Sequence, residues 1–209
     1  RGTPAKHSLD ELSGTDPVLV EPQSEFLPSI AIAEPVGWAA DGAPVAAKGL
    51  AVARFADGLN HPRTMLTLDN GDVIVAETGS PPRDGGGFTA WAAKILMTRA
   101  GAGGASPDRL VLLRDADGDG RAEARFVLRE KNGLSSPSGL AWRDGKLYVA
   151  NHDAVLAFDY ALGSTILGGE PKKLIDLPGG GNHWMRNLLL SPDGKKLYAL
   201  VPLIPGVFE

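Results

Sequence analysis

The 209-residue chain contains no cysteine. Disulfide cross-links, thiolate metal centres and cysteine nucleophiles are therefore all excluded. No apolar run approaches the roughly 20 residues that a membrane-spanning helix needs, and no charged-then-apolar leader opens the chain. Its first residue is Arg1 rather than Met, so removal of an earlier leader is compatible with the sequence. Lys and Arg are not clustered, and the formal net charge is −4. Nucleic acid and anionic membrane are thus poor candidates for the main partner, because both are bound through concentrated positive charge. Two glycine-rich runs, residues 85–87 and 101–104, lack the strand-to-helix context and the following lysine of a phosphate loop.

What the chain does have is 43% hydrophobic residues with 27 Gly and 16 Pro, a balance that favours a turn-rich β fold over helices. The pattern is clearest at residues 176–200, DLPGGGNHWMRNLLLSPDGKKLYAL. Three successive glycines give a sharp turn, Asn182-His183-Trp184 follows, and residues 186–190 read as a buried strand. Ser191-Pro192-Asp193-Gly194 makes a tight turn, and residues 196–200 return as a second strand. The same hairpin occurs at residues 58–76, turning at Gly71, and at residues 133–150, turning at Gly145. A repeated hairpin of this kind reads as the inner half of successive β-propeller blades.

The expected organisation is all-β, with residues 1–37 an exposed and largely irregular arm and residues 38–209 a partial propeller. Residues 50–55 alternate as a strand does. The first blade takes its inner hairpin from residues 63–77, then an inserted short helix at 88–100, then outer strands at 109–114 and 124–130. The second blade runs through 137–142, 146–151, 154–160 and 171–177. A third begins at 186 and gives way after about residue 200 to a segment with two prolines, Pro202 and Pro205, where a strand should continue. The count is about two and a half blades.

Three groups of residues can carry chemistry. Asp115-Ala116-Asp117-Gly118-Asp119-Gly120 places carboxylates at positions 1, 3 and 5 of a loop with glycine at position 6, an arrangement that converges hard oxygens and suits Ca²⁺. Glu123 falls at position 9, but Phe126 stands at position 12 where a helix–loop–helix site has glutamate. The loop reads either as a calcium site or as a solvated acidic turn. His183, just before an inner strand, can take a proton from a substrate hydroxyl as a general base, or it is a merely structural loop histidine. His61 has a comparable place before the first blade, with Arg63 beside it as a fixed charge. His7 and His152 read as surface residues, and Trp142 and Trp184 as packing.

The segments GLNHPRTMLTLDNGDVIVAET, WAAKILMTRAGAG, RLVLLRDADGDGRAEARFVL, GLSSPSGLAWRDGKLYVANHDAVLAFDY and GGGNHWMRNLLLSPDGKKLYAL resemble, in order, the L-sorbosone dehydrogenase family. These are pyrroloquinoline quinone-dependent sugar dehydrogenases similar to soluble glucose dehydrogenase. The resemblance implies a six-bladed propeller, a periplasmic or secreted location, a quinone on the propeller face held with Ca²⁺, and a sugar substrate with a separate electron acceptor. It makes His183 the base that accepts the hydroxyl proton; His61 and Arg63, by their place before the first blade, and Arg186, beside His183, are candidate cofactor contacts. Near Leu200 the chain departs from the family, which continues into a glycine- and asparagine-rich loop and about three more blades. The expectation is accordingly an N-terminal piece of such an enzyme. Two other readings are a non-catalytic propeller binding module and a calcium-dependent propeller lactonase. The second ranks lower, because lactonase sites hold the metal near the axis whereas this acidic loop lies in the outer half of a blade.

Overall fold

A computed structural model describes residues 7–19, 32–39, 42–82, 87–102, 104–179 and 183–202. The middle of the glycine loop, much of the amino-terminal arm and residues 203–209 lie outside the described residues. The chain divides into two compact units. One comprises Arg1–Val36 with Gly87–Gly103, and the other Gly37–Gly86 with Gly104–Glu209.

The smaller unit holds the inserted helix, α1 (Phe88–Arg99). It ends in a left-handed glycine, Gly101 at φ +71°, and the Ala102 N–H reaches back to the Met97 carbonyl at 2.9 Å. This arrangement satisfies terminal carbonyls that the helix itself cannot. Near the amino terminus Ser8 and Glu11 cap each other reciprocally, Ser8 N–H on Glu11 Oε2 and Glu11 N–H on Ser8 Oγ.

The larger unit is built of antiparallel sheets. β1 (Pro62–Thr67), β2 (Val73–Glu77), β3 (Arg109–Arg114) and β4 (Ala124–Glu130) form a four-stranded meander in chain order. β5 (Gly139–Arg143), β6 (Lys146–Ala150), β7 (Ala154–Asp159) and β8 (Lys172–Asp176) form a second. β9 (Asn187–Leu190) and β10 (Leu197–Leu200) pair as a two-stranded sheet. A four-stranded up-and-down meander is the repeating unit of β-propellers. The turn glycines Gly71, Gly145 and Gly194 have φ of +87°, +77° and +68°, a region closed to most side chains, so the three hairpins share their turn geometry.

Period-2 alternation assigns the faces. Ile74, Ala76, Leu110 and Leu112 point from the first sheet into one core with Leu147, Val149, Leu156 and Phe158 of the second. Val75, Val111 and Leu113 face the other way and are covered by Phe55, Ala56 and Leu59. Burying each of these large aliphatic side chains contributes about 1.5–3 kcal/mol. Residues 50–55, expected as a strand, join no sheet. Their end instead lies over this second face, anchored where the Phe55 carbonyl accepts the Ala122 N–H at 2.8 Å and where the Arg125 guanidinium donates to the Asp57 and Gly58 carbonyls.

The first strands of the three sheets lie side by side, β5 against both β1 and β9. Close approach between β5 and β9 depends on Gly139, where a Cβ would meet the Arg186 carbonyl oxygen at 2.9 Å, the Ala150 Cβ at 3.0 Å and the Leu188 Cγ at 3.1 Å. Two of these neighbours are backbone or short and cannot swing away. Gly139→Ala is therefore expected to cost about 1–3 kcal/mol in urea unfolding through overpacking. A stability equal to wild type would show that the two sheets are not in contact there.

The turn between β1 and β2 is tied to the end of β3 by a buried carboxylate. Asp72 receives Arg114 Nε at 2.6 Å and Nη2 at 2.7 Å, together with Asn70 Nδ2 at 2.7 Å. Its carboxyl is held below the usual aspartate range, chiefly by the Arg114 hydrogen bonds, which outweigh the opposing effect of burial. A depressed carboxyl stabilises the fold fully above its unfolded value, near 4, and that contribution is lost as pH falls through the native value. At pH 7, Asp72→Asn should be less stable than wild type by about 1–3 kcal/mol, the worth of hydrogen bonds to a charged group. The gap should narrow as pH falls below the unfolded aspartate value, and a pH-independent gap would reject the assignment.

Candidate functional site

Each sheet's first strand is preceded by a loop, and the repeat places these loops alike. In the first two copies the sequence runs Gly58-Leu59-Asn60-His61-Pro62 and Gly133-Leu134-Ser135-Ser136-Pro137. Gly58 and Gly133 have φ of +62° and +88°, and the non-glycine residues before each proline, His61 and Ser136, stand at +51° and +46°. Holding such residues left-handed costs of order 1–3 kcal/mol, so the surroundings must fix them. They do so through a polar side chain at the end of the second strand. Glu77 Oε1 accepts the Asn60 N–H at 2.7 Å, and Asn151 Oδ1 accepts the Ser135 N–H at 3.1 Å. Asn151 Nδ2 also donates to the Gly133 carbonyl at 2.8 Å. Glu77 is itself buried and held by Arg109.

The third copy is fastened differently. Beyond β10 stand Val201 and Pro202, neither of which carries a side-chain acceptor. Instead the Arg186 guanidinium donates from within the loop, Nη1 to the His183 carbonyl at 2.7 Å and to the Met185 carbonyl at 3.1 Å, and Nη2 to the Pro178 carbonyl. Arg186 is fully buried, its Nε has no hydrogen-bond partner among the described residues, and burial lowers its pKa from the ordinary arginine value. Its backbone is clasped by the preceding sheet: its N–H donates to Ser138 Oγ at 2.7 Å, and Ser138 Oγ donates to its carbonyl at 3.1 Å. Trp184 is buried beside it and His183 is exposed.

His61 and Arg63, at the start of β1, and His183 and Arg186, just before β9, hold corresponding positions before the inner strands of the first and third sheets, with β5 lying between those two strands. Arg63 is exposed and forms no ion pair or hydrogen bond among the described residues, so its charge is available to an anion. Arg186, by contrast, directs its donors onto backbone carbonyls. His152, expected on the surface, is half-buried, with Nδ1 3.2 Å from the Ser135 carbonyl and 3.3 Å from Ser135 Oγ. Trp142 packs as expected, partly buried with its indole N–H on the Tyr160 carbonyl at 3.2 Å. Glu77, Ser138 and Asn151 were not singled out in the sequence. The signal for Glu77 and Asn151 is a polar residue closing an apolar strand, VIVAE and LYVAN, at the same place in the first two repeats.

The acidic loop connects β3 to β4. Asp115, Asp117, Asp119 and Glu123 each offer a carboxylate oxygen, all within 4.8 Å of one another. The backbone arranges this convergence: Asp115 accepts the Gly118 and Gly120 N–H groups at 2.7 and 2.9 Å, Asp117 that of Asp119, Asp119 that of Arg121, and Glu123 that of Ala116. The Gly120 N–H above all holds the Asp115 carboxyl below its usual range. Four hard oxygens with this spread match the separations about a Ca²⁺ ion, whose Ca–O distances are about 2.3–2.6 Å.

The two sets of residues lie at opposite ends of the first sheet. Pro62 pairs with Glu77, and Glu77 with Arg109, whereas the acidic loop follows Arg114 at the far end of β3. At about 3.3 Å per residue the strand separates them by roughly 17 Å. An ion in this loop therefore does not sit with ligands gathered at His61, Arg63 and His183. Calcium should raise the melting temperature of the wild type in scanning calorimetry by several degrees, by binding the folded state preferentially. Asp117→Ala should abolish that rise. Equal melting with and without calcium in both proteins would leave the loop as an ordinary turn.

No family model and no curated protein sequence matches the chain. Among solved structures, the iodide structure of the Trichoderma reesei Carbohydrate-Active Enzymes Family AA12 protein aligns with a TM-score of 0.53 at 19% identity, over 83% of this chain and 36% of that one. Its calcium structure aligns with a TM-score of 0.53 at 22% identity, over 75% and 33%. The holo PQQ domain of pyranose dehydrogenase from Coprinopsis cinerea aligns at 0.49 and 16%, over 70% and 29%. The chain spans about a third of the length of these structures, and what it shares with the Trichoderma reesei protein is the fold.

Proposed function

We propose that this chain is part of a quinoprotein oxidoreductase of a six-bladed propeller, periplasmic or secreted, that oxidises a sugar or sugar-derived alcohol or aldehyde and passes the electrons to a separate acceptor. The observation that carries the reading is the placement of an exposed imidazole, His183, at the end of the inner strands where His61 and Arg63 also stand. The ordered resemblance of five segments to the L-sorbosone dehydrogenase family and the fold shared with a carbohydrate-active enzyme support it.

The residues present suit pyrroloquinoline quinone. Its carboxylates need cations, and Arg63 offers an exposed guanidinium that no carboxylate among the described residues neutralises. His61, fixed beside it in a left-handed backbone, adds a donor or acceptor. The chemistry that the bound quinone supplies is acceptance of two electrons from the sugar carbon. His183 supplies the complementary act, accepting the hydroxyl proton as the carbon is oxidised, so that charge does not accumulate on the substrate oxygen. The buried Trp184 and the fastened backbone beneath it keep the imidazole at the solvent face. An ion in the acidic loop stabilises the far end of the sheet.

His183→Ala in the full-length protein, loaded with quinone and calcium and assayed by dye-linked sugar oxidation, should lose roughly 10²- to 10⁴-fold in kcat, the usual worth of a general base. Quinone binding, followed by absorbance, should change little. Near-normal turnover would reject the role. Loss of quinone binding would recast His183 as a cofactor contact.

A further inference from the structure

We infer that Arg186 is the positioning residue for His183, a strut inside the loop rather than a contact to any ligand. The inference rests on the reading of His183 as the base.

Three observations converge on it. The first two repeats fasten their loops with a side-chain acceptor from the end of the second strand, Glu77 and Asn151. The third has Val201 and Pro202 there, so the loop carrying the exposed histidine lacks the device that its sisters use. Secondly, Arg186 supplies the missing connections in another way. Where Glu77 only accepts a loop N–H and Asn151 both accepts one and donates to the Gly133 carbonyl, Arg186 only donates, to loop carbonyls from Pro178 on one side of the glycine run to His183 and Met185 on the other. A planar guanidinium can bridge several fixed acceptors at once, which a lysine ammonium on a flexible stem cannot do with the same rigidity. Thirdly, Arg186 is itself immobilised: it is fully buried, and its N–H and C=O are both held by Ser138 Oγ of the neighbouring sheet.

The chain of support therefore runs from β5 through Ser138 to the Arg186 backbone, and through its side chain to the His183 carbonyl. Without these bonds the His183 and Met185 carbonyls would lose their tie to the Pro178 carbonyl through one guanidinium. A misplacement of about 1 Å at a reacting group can cost on the order of 10²-fold in rate.

The first test needs no cofactor. Hydrogen exchange is measured on the wild type, Arg186→Gln and Arg186→Lys. Protection of the amide at position 186, which donates to Ser138 Oγ at 2.7 Å, should fall about tenfold or more in the glutamine variant, while strands β6 and β7 keep theirs. The lysine variant should fall between. Unchanged protection in both variants would overturn the inference, and if the glutamine variant does not fold, the lysine variant decides by the same criterion. The second test uses the quinone-loaded, full-length protein. Arg186→Gln should lower kcat by roughly 10–100-fold with quinone affinity unchanged, and should lower it no further in a His183→Ala background, since residues acting as one unit are not additive. Weakened quinone binding, or an additive loss in the double variant, would overturn the inference. Normal turnover of His183→Ala alone would instead overturn the base assignment, and the exchange measurement would still report whether Arg186 holds the loop.

Discussion

A buried guanidinium forfeits its hydration, and the loss is tolerable only where several acceptors replace water. This chain twice supplies those acceptors from backbone carbonyls at the joints between sheets. Arg129, in β4, donates Nε to the Asn132 carbonyl at 2.6 Å and Nη1 to the Leu167 and Gly169 carbonyls of the next repeat at 3.1 and 2.8 Å. It also lies over the Phe158 ring at 4.9 Å. Arg186 donates to carbonyls of the loop between the second sheet and the third, and its backbone, held by Ser138 Oγ, ties that loop to β5. Hydrophobic packing alone is non-directional, and two sheets could slide over a shared aliphatic core. Charged donors on fixed carbonyls remove that freedom and set one sheet in register with the next.

Most of the fold was legible in the sequence because its elements obey local rules. The limits of β3 and β4 follow from uninterrupted apolar or alternating runs bounded by Asp115 and Lys131, and the hairpins from the turn sequences at Gly71, Gly145 and Gly194. Residues 50–55 were misread for a physical reason. Alternation reports a half-buried surface, and these residues lead into a segment that covers Val75, Val111 and Leu113 with side chains while its backbone pairs with a loop at Ala122. Period alone does not distinguish covering a sheet from joining one.

The candidate site was legible in its chemistry and not in its mechanics. His183, His61, Arg63 and the acidic loop stand out by residue type and spacing. The second role of Arg186 does not, because an arginine near a histidine reads as a ligand for anions until its donors are seen on carbonyls. His152 was misjudged for the same reason: its partner Ser135 lies in the preceding loop, brought to it by the β5–β6 hairpin. Ser138 acts on the backbone of Arg186, 48 residues away, and backbone partners leave no mark in a sequence.

The topology also places the acidic loop and the loop of His183 at opposite ends of their sheets. In an antiparallel meander, the loop before the first strand and the connection between the third and fourth necessarily lie at opposite ends of the sheet, since the first and third strands run the same way. The acidic loop therefore belongs to the end remote from His183 whatever its occupancy, and what it can influence is local. Ala122, one residue before Glu123, holds the Phe55 carbonyl. Neutralising the four clustered carboxylates removes a repulsion from that corner and favours the closed loop, which in turn steadies the segment covering Val75, Val111 and Leu113. An ion bound there would act on the fold, whereas the backbone at His183, at the other end, is fastened by Ser138 and Arg186.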